Sequence, residues 1–462
     1  MSYLIAIDNG SQSTKVSIVD EVGRVHASAQ RPLRPYEHPK PGQVVHPDDD
    51  VWDSIAEACT EAMQRFTGAP GEIAGVGLCT IRFCRAVMDP GGRLTEPLLS
   101  WMDERLAQPQ QPAGTRRLVS ASSGYVTLRL TGERRDTAGN YEGMWPIDHE
   151  TWRWPDSSPS YADTGMRREQ LFDLVDPGAL LGNVTGEASR ATGLPAGLPV
   201  FATSNDKAVE ALGSGLGDEL LVSLGTYIAA MTTGDRHTVD PEGRFWSNFG
   251  SVPGKYLYES NGIRRGMWTV SWYRQLVGSD LGELEAGAAS VEPGCGGLMT
   301  VLDWLAPGDH PYRRGALLGF DGTQGRYHVY RSILEGIALT MSRHSALMGD
   351  ALGREFPELI VSGGGSRSDL MMQIFADVFD RPVRRTRMSD AAGLGAAICA
   401  AVGSGVHPDW DSAVKAMVTT ADVFTPSAAA PVYAKLAQDH ARITDHTDPL
   451  FASLNQQDIT AR

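Results

Sequence analysis

The feature that most constrains this chain is a pattern that occurs twice. An apolar run, Tyr3–Ile7, meets a polar turn, Asp8-Asn9-Gly10-Ser11-Gln12-Ser13-Thr14, and then a second apolar run, Val16–Val19. Two short runs about a glycine turn read as a β-hairpin. Near mid-chain the arrangement returns, with Leu220–Leu224, a turn at Gly225-Thr226, and Tyr227–Thr232. A similar hairpin at the head of each half implies an internal duplication. The expected domains are residues 1–217 and 218–462.

The rest of the chain fits alternating strands and helices. Arg24–Gln30, Ile73–Thr80 and Cys84–Met88 read as strands. Pro47 and the acids Asp48 to Asp50 precede a helical pattern over Val51–Phe66, and acids in a first turn suit the helix dipole. Residues 108–161 have poor periodicity and read as loops and short helices. Further strands are expected at Pro199–Thr203 and Glu358–Val361. Helices are expected at Lys207–Leu212, Met267–Val277, Tyr330–Met348, Asp369–Phe379 and Ala391–Val402.

A net charge of -15 over 462 residues argues against nucleic-acid and anionic-membrane partners. Any site for an anion must be built locally against that field. The five cysteines, Cys59, Cys79, Cys84, Cys295 and Cys399, are odd in number and contain no C-x-x-C pair. Reduced thiols and a cytoplasmic location are therefore expected, rather than zinc or a disulfide framework. The opening residues carry Asp8 within a short apolar run and do not read as a signal peptide.

Three places suggest chemistry. The first is the pair of hairpin turns, where bare backbone N–H groups suit anions. There Ser11, Ser13 and Thr14 add hydroxyls, Lys15 adds a cation, and Asp8 suits a magnesium ion held through water. Glycine-serine turns also join ordinary hairpins, and an acid at a strand end often caps a turn. The second is strand–GGGS–helix at Val361–Ser366, which suits a nucleotide on exposed backbone. Neither a G-x-G-x-x-G fingerprint nor a G-K-[ST] loop accompanies it. The third is Asp206, after an apolar strand and before a helix. It reads either as a helix N-cap or as the carboxylate that accepts a hydroxyl proton in phosphoryl transfer.

Taken together, these segments resemble the FGGY carbohydrate kinases from Tyr3 to about residue 430. Ile7–Lys15 is similar to the family's first phosphate motif, and Ser100–Arg105 to its W-x-D-x-R segment. Ser204–Gly215 is similar to its catalytic-base segment, and Val222–Thr226 to its second phosphate motif. Gly315–Glu335 resembles the second family signature, with Phe320 where a smaller aliphatic is usual. Ser362–Val383 resembles the adenosine motif, and Ala391–Ala401 the hinge helix.

The resemblance implies an α/β fold with two similar ribonuclease H-like domains, of the actin-like ATPase type, around a deep central cleft. It implies transfer of the ATP γ-phosphate to a hydroxyl of a pentulose, hexulose, polyol or sugar acid, with Asp206 as base and Mg²⁺ at Asp8. Nucleotide contacts fall on Gly10, Ser11, Ser13, Thr14, Lys15, Gly225, Thr226, Gly364, Gly365 and Ser368. Substrate contacts fall on Arg82, Phe83, Trp101, Asp103, Asp206, Lys207 and Arg264. The partner is a small sugar-like molecule, and a homodimer is left open. The alternative is a catalytically inactive, nucleotide-dependent sugar sensor of the same fold.

The chain departs from the family at several places. Its Lys-x-x-Trp signature is absent from Leu106–Val126, and Lys207 stands where relatives have Asn or Gln. Arg82, Lys207 and Arg264 would form a basic cluster suited to an acceptor with a carboxylate. Alternatively, Lys207 pairs with an internal acid and Arg264 is solvated.

Overall fold

A computed structural model describes residues 2–110, 117–143, 145–156 and 159–460, and in it strand β1 (Tyr3–Asn9) is buried at every position. The reason is that both faces of this strand are covered. Tyr3, Ile5 and Ile7 meet helix α1 (Asp50–Arg65) through Val51, Trp52, Ile55, Ala58 and Ala62. Leu4 and Ala6 point the other way, into a second cluster. A run that is apolar at every position is what a central strand requires. Helix α1 begins with Asp50 and Asp53 in its first turn and ends with Arg65 in its last, the polarity its dipole favours.

Two sheets follow one plan. In the first, β1, β2 (Ser13–Asp20), β3 (Val25–Pro32), β4 (Ile73–Thr80), β5 (Leu180–Asn183) and β6 (Pro199–Ala202) take the order β3-β2-β1-β4-β6-β5. The second holds β7 (Leu220–Leu224), β8 (Ile228–Gly234), β9 (Phe245–Phe249), β10 (Tyr256–Ser260), β11 (Leu359–Ser362), β12 (Val383–Thr386) and β13 (Thr420–Phe424). Its order is β9-β10-β8-β7-β11-β12-β13. Each opens with an antiparallel hairpin, β1–β2 or β7–β8, and then adds parallel neighbours, β4 and β6 or β11 and β12. Here the duplication expected from the two hairpins appears as topology. The second sheet carries one additional edge strand, β9.

The region expected to be loops and short helices is more ordered than that. Helix α2 (Ser122–Thr131) runs ten residues and is buried at nine of them. A helix enclosed on all sides has no polar face, so its sequence lacks the 3.6-residue alternation that marks a surface helix. Residues 111–116, within the 106–126 stretch where a Lys-x-x-Trp signature was sought, lie outside the described residues.

The remaining helices that position the site are α3 (Asp206–Gly213), α4 (Arg326–Leu352), α5 (Asp369–Phe379) and α6 (Ala391–Gly403). Helix α6 comes from the second half of the chain, yet it supplies the cluster on the far face of β1 through Leu394, Ala397, Ile398 and Ala401. Its alanines and glycines allow backbone contact. A Cβ on Gly77 of β4 would lie 1.9 Å from the Ala396 carbonyl oxygen, and one on Gly395 would lie 2.0 Å from that of Val209 in α3. This docking carries Asp390, which caps α6, to the end of β1. All five cysteines are buried and unpaired. Among the described residues no helix is long and apolar enough to cross a membrane.

Candidate active site

The two hairpin tips meet. Gln12 Nε2 donates to Thr226 Oγ1 at 3.2 Å across 214 residues of sequence. The first turn is closed by Gly10 N–H on the Ser13 carbonyl at 3.1 Å. The second is strapped from behind, with Gly266 N–H on Thr226 O at 2.7 Å and Met267 N–H on Gly225 O at 3.1 Å. Between the tips lies a cleft of about 1020 Å³, and its lining includes Asp8, Gly10, Ser11, Ser13, Lys15, Gly225, Thr226, Gly364, Gly365 and Ser368. Ser368 fixes the far wall by capping α5, accepting from Met371 N–H at 3.0 Å and donating to Glu285 at 2.6 Å.

Thr14, expected beside the phosphates, faces the other way. Side chains alternate along β2, so Ser13 and Lys15 reach the cleft while Thr14 turns inward. It is fully buried; its hydroxyl accepts from Asn9 Nδ2 at 2.7 Å and shares a hydrogen bond with Ser54 at 2.7 Å.

At the floor, Lys15 Nζ lies 3.7 Å from Asp8 and 3.3 Å from Asp390. Burial, reinforced by Asp390, pushes the Asp8 carboxyl up to about 8. Burial opposes the Lys15 charge, but Asp390 and Asp8 carry its pKa above the ordinary value. With Asp8 mostly protonated at neutral pH, Asp390 and Lys15 balance one another, and a cation arriving at Asp8 would displace its proton. No group of three or more His, Cys, Asp or Glu poised for a metal occurs among the described residues. Mg²⁺ fits regardless, because it needs only one or two carboxylates, the remaining ligands being water and phosphate oxygens.

Asp206 is the first residue of α3, and the cap is its neighbour. Asn205 Oδ1 accepts from Ala208 N–H at 3.0 Å, while Asn205 Nδ2 donates to Gly139 O at 3.1 Å. The N-cap role that Asp206 was open to is thus already filled. Its carboxylate keeps 27% of its surface exposed and lies 3.7 Å from Arg82 Nε. Burial raises its pKa above the usual carboxylate value, against the opposing pull of Arg82 and Lys207.

Two members of the expected basic cluster are paired with acids, and the third lies elsewhere. Lys207 Nζ donates to Glu210 at 2.8 Å and to Ser223 at 2.7 Å, and Glu210 also accepts from Ser362. Arg82 forms a fork with Glu259, at 2.9 and 2.8 Å. It lies over the rings of Phe83 and Trp246, at 5.1 and 4.9 Å. Phe83 adopts φ 63°, a strained backbone at the rim of the site. Nearby Glu142 is pushed up to about 8 by burial. Arg264 is drawn off to the Ala306 carbonyl at 2.7 Å and lines a different pocket.

Trp101 is half-exposed, whereas Asp103 is sealed. The Asp103 side chain has no exposed surface and accepts from Val44 N–H at 2.7 Å and from Arg105 Nε and Nη2 at 2.8 and 2.6 Å. It therefore presents no face to a ligand, contrary to expectation, and instead ties the Trp101 loop to Val44.

Comparison with known proteins agrees with this geometry. The N-terminal domain of the FGGY family of carbohydrate kinases matches residues 3–113, and the C-terminal domain matches residues 220–404. The chain belongs to this family. It is 44% identical over 439 residues to an uncharacterized sugar kinase, YgcE, of Escherichia coli K12, covering 92% of this chain and 89% of that one. It is 27% identical to a glycerol kinase of Thermus brockianus, covering 88% of this chain and 90% of that one. The crystal structure of xylulose kinase from Rhodospirillum rubrum superposes with a TM-score of 0.83 at 26% identity, covering 97% of this chain and 100% of that chain. The fold is the two-domain actin-like ATPase fold, as expected.

Several groups of this kinase escaped the sequence reading. Glu259, Trp246 and Glu142 reach the site from β10, β9 and an irregular segment, with no motif around them. Asp390 was more accessible to inspection, as an acid directly before a glycine- and alanine-rich helix.

The glycine triplet yields a prediction. A Cβ on Gly364 would meet nothing within 4 Å, whereas one on Gly365 would lie 2.8 Å from Leu224 Cβ and 3.0 Å from Met267 Sδ. Gly364→Ala should therefore fold normally but place a methyl in the cleft, weakening ADP about tenfold by titration calorimetry. Gly365→Ala should lose about 1–3 kcal/mol of stability in urea unfolding.

Proposed function

We propose that this kinase transfers the γ-phosphate of MgATP to a hydroxyl of a neutral sugar or polyol, with Asp206 as the general base. The observation that carries the reading is that the Asp206 carboxylate, left free because Asn205 makes the cap, stands after the end of β6 and within electrostatic reach of Asp8 on the cleft wall. An inactive sensor would need no such free carboxylate.

In this reading residues 1–217 hold most of the sugar and residues 218–462 hold the nucleotide. The adenosine end lies along Gly364, Gly365 and the wall fixed by Ser368. Backbone N–H groups at Ser11 and at Gly225–Thr226, together with Lys15, face the phosphates and stabilise charge on the transferring group. Asp8, with Asp390 beside it, would hold Mg²⁺, which neutralises phosphate charge when bound. Gln12 and Thr226 bridge the two hairpin tips at the surface, and closure of the cleft over bound substrates would exclude water, a competing acceptor. Asp206 accepts the proton as the acceptor oxygen attacks, and its raised pKa strengthens it as a base.

The acceptor's charge follows from the pairing. Arg82 and Lys207 already carry Glu259 and Glu210, so an acidic substrate finds no free cation there and meets the Asp206 carboxylate instead. A coupled ADP-release assay over pentuloses, hexuloses, polyols and sugar acids tests both parts. We expect turnover on a neutral acceptor, with kcat/KM for the matching acid at least about tenfold lower, the equivalent of 1.4 kcal/mol. No turnover on any sugar or polyol would remove the kinase reading, and a preference for the acid would remove the charge argument.

A further inference from the structure

A second pocket, sharing no lining residue with the catalytic cleft, gathers positive charge in an acidic protein. Its volume is about 100 Å³, the liquid-volume share of roughly three waters. Arg264, Arg313, Arg343, His344 and His440 line it, with Asp303 as the one carboxylate among the described lining residues. Arg313 is taken up by Asp448, at 2.8 and 2.6 Å. Arg343, exposed on α4, makes no hydrogen bond or ion pair among the described residues. Arg264 gives only one bond, to the Ala306 carbonyl. Two guanidinium groups therefore keep most of their donors free while facing one small cavity.

The histidines record the same field. His344 Nδ1 lies 2.8 Å from the Asn261 carbonyl, which makes that nitrogen the donor. Burial, and then Arg343 with other neighbouring positive charge, pushes both His344 and His440 down to about 4. Both imidazoles are therefore neutral at neutral pH, and the unpaired positive charge at the pocket is that of Arg264 and Arg343.

The pocket's wall is also the strap of the second hairpin. Ile263 exchanges backbone hydrogen bonds with Ile228, at 2.8 and 3.0 Å. Gly266 and Met267 hold Thr226 and Gly225. An anion on Arg264 thus sits two residues from the backbone that fixes the second phosphate turn.

We propose that the pocket lined by Arg264 and Arg343 binds a phosphate dianion, free or as a monoester, outside the catalytic cleft, and that its occupancy is felt at the Gly225–Thr226 turn. Arginine forks suit this ligand through paired N–H···O bonds. The test is titration calorimetry of the full chain, saturated with a non-hydrolysable MgATP analogue, with inorganic phosphate and with glycerol 3-phosphate, at ionic strength matched with chloride. The γ-phosphate of the analogue fills the position that free phosphate or a product phosphate would otherwise take in the cleft. We expect one site per chain, weakened at least tenfold in Arg343→Gln and in Arg264→Gln. Tighter binding of the monoester would assign a sugar phosphate as the natural ligand, and equal or tighter binding of phosphate would assign the free ion. KM for ATP should shift with added phosphate in the native chain and not in Arg343→Gln, which keeps its basal rate. Absence of binding, an equal effect of chloride, or unchanged affinity in both variants would overturn the site. Binding without a change in KM would overturn its coupling to the turn.

Discussion

Asp206→Asn is expected to lower kcat by about 10²- to 10⁴-fold, the range general-base catalysis supplies, while leaving ADP affinity and stability close to native. The structural reason is specific. Asn205, not Asp206, caps α3, so the substitution removes no cap. Asn also retains the size of the side chain and can still accept the 3.1 Å bond from Lys207 N–H. What disappears is the proton acceptor. The pH profile separates this role from a merely structural one. Burial holds the Asp206 pKa above the usual carboxylate value. The base works deprotonated, so native kcat/KM should fall as pH drops through that raised pKa. In Asp206→Asn the residual rate should lose this acidic limb. Stopped-time ADP-release assays across pH would decide it, and native turnover in the variant would remove Asp206 from the mechanism.

What the sequence disclosed and what it concealed have a common physical origin. Turns that leave backbone exposed need glycine and small hydroxyl residues, so Gly10–Ser13, Gly225–Thr226 and Gly363–Gly365 were visible as composition. Asp206 was visible because it follows an apolar strand, but its N-cap reading could not be set aside until Asn205 was seen making the cap. Thr14 failed on a simpler point. The motif spans consecutive residues, while a strand sends alternate residues to opposite faces, and only the structure fixes which. Arg82, Lys207 and Arg264 looked like a basic cluster because their partners are distant in sequence: Glu259 is 177 residues from Arg82. Lys207 is the exception, since Glu210 lies one helical turn away at i+3 and that pairing was already open to view. Helix α2 was missed because total burial erases periodicity. The docking of α6 on the first sheet was equally hidden, since its alanine and glycine pattern announces close contact but not with what.

The Arg82–Glu259 pair yields the other large effect. The Glu259 side chain is 1% exposed and that of Arg82 12% exposed. Removing one partner of such a buried pair typically costs 3–5 kcal/mol. Glu259→Gln should fall near the lower end, about 3 kcal/mol, because Asp206 stands 3.7 Å from Arg82 and takes up part of its charge. That compensation has a catalytic consequence whose sign is fixed. Glu259 raises the Asp206 pKa and Arg82 lowers it. Loss of the Glu259 charge therefore moves Asp206 down on both counts, through less repulsion and a closer guanidinium. The acidic limb of kcat/KM should shift to lower pH while kcat at neutral pH falls, since a less basic carboxylate is a poorer proton acceptor. Arg82→Met combined with Glu259→Met separates the two effects. With both charges gone, stability should return toward native, as replacement of a whole buried pair by apolar residues is often neutral. Activity should not return, because Asp206 loses the Arg82 guanidinium that stands 3.7 Å from its carboxylate. Urea unfolding and pH–rate profiles on the three proteins measure each part. An acidic limb that stays in place in Glu259→Gln would mean that this pair, although beside the base, does not set its proton affinity.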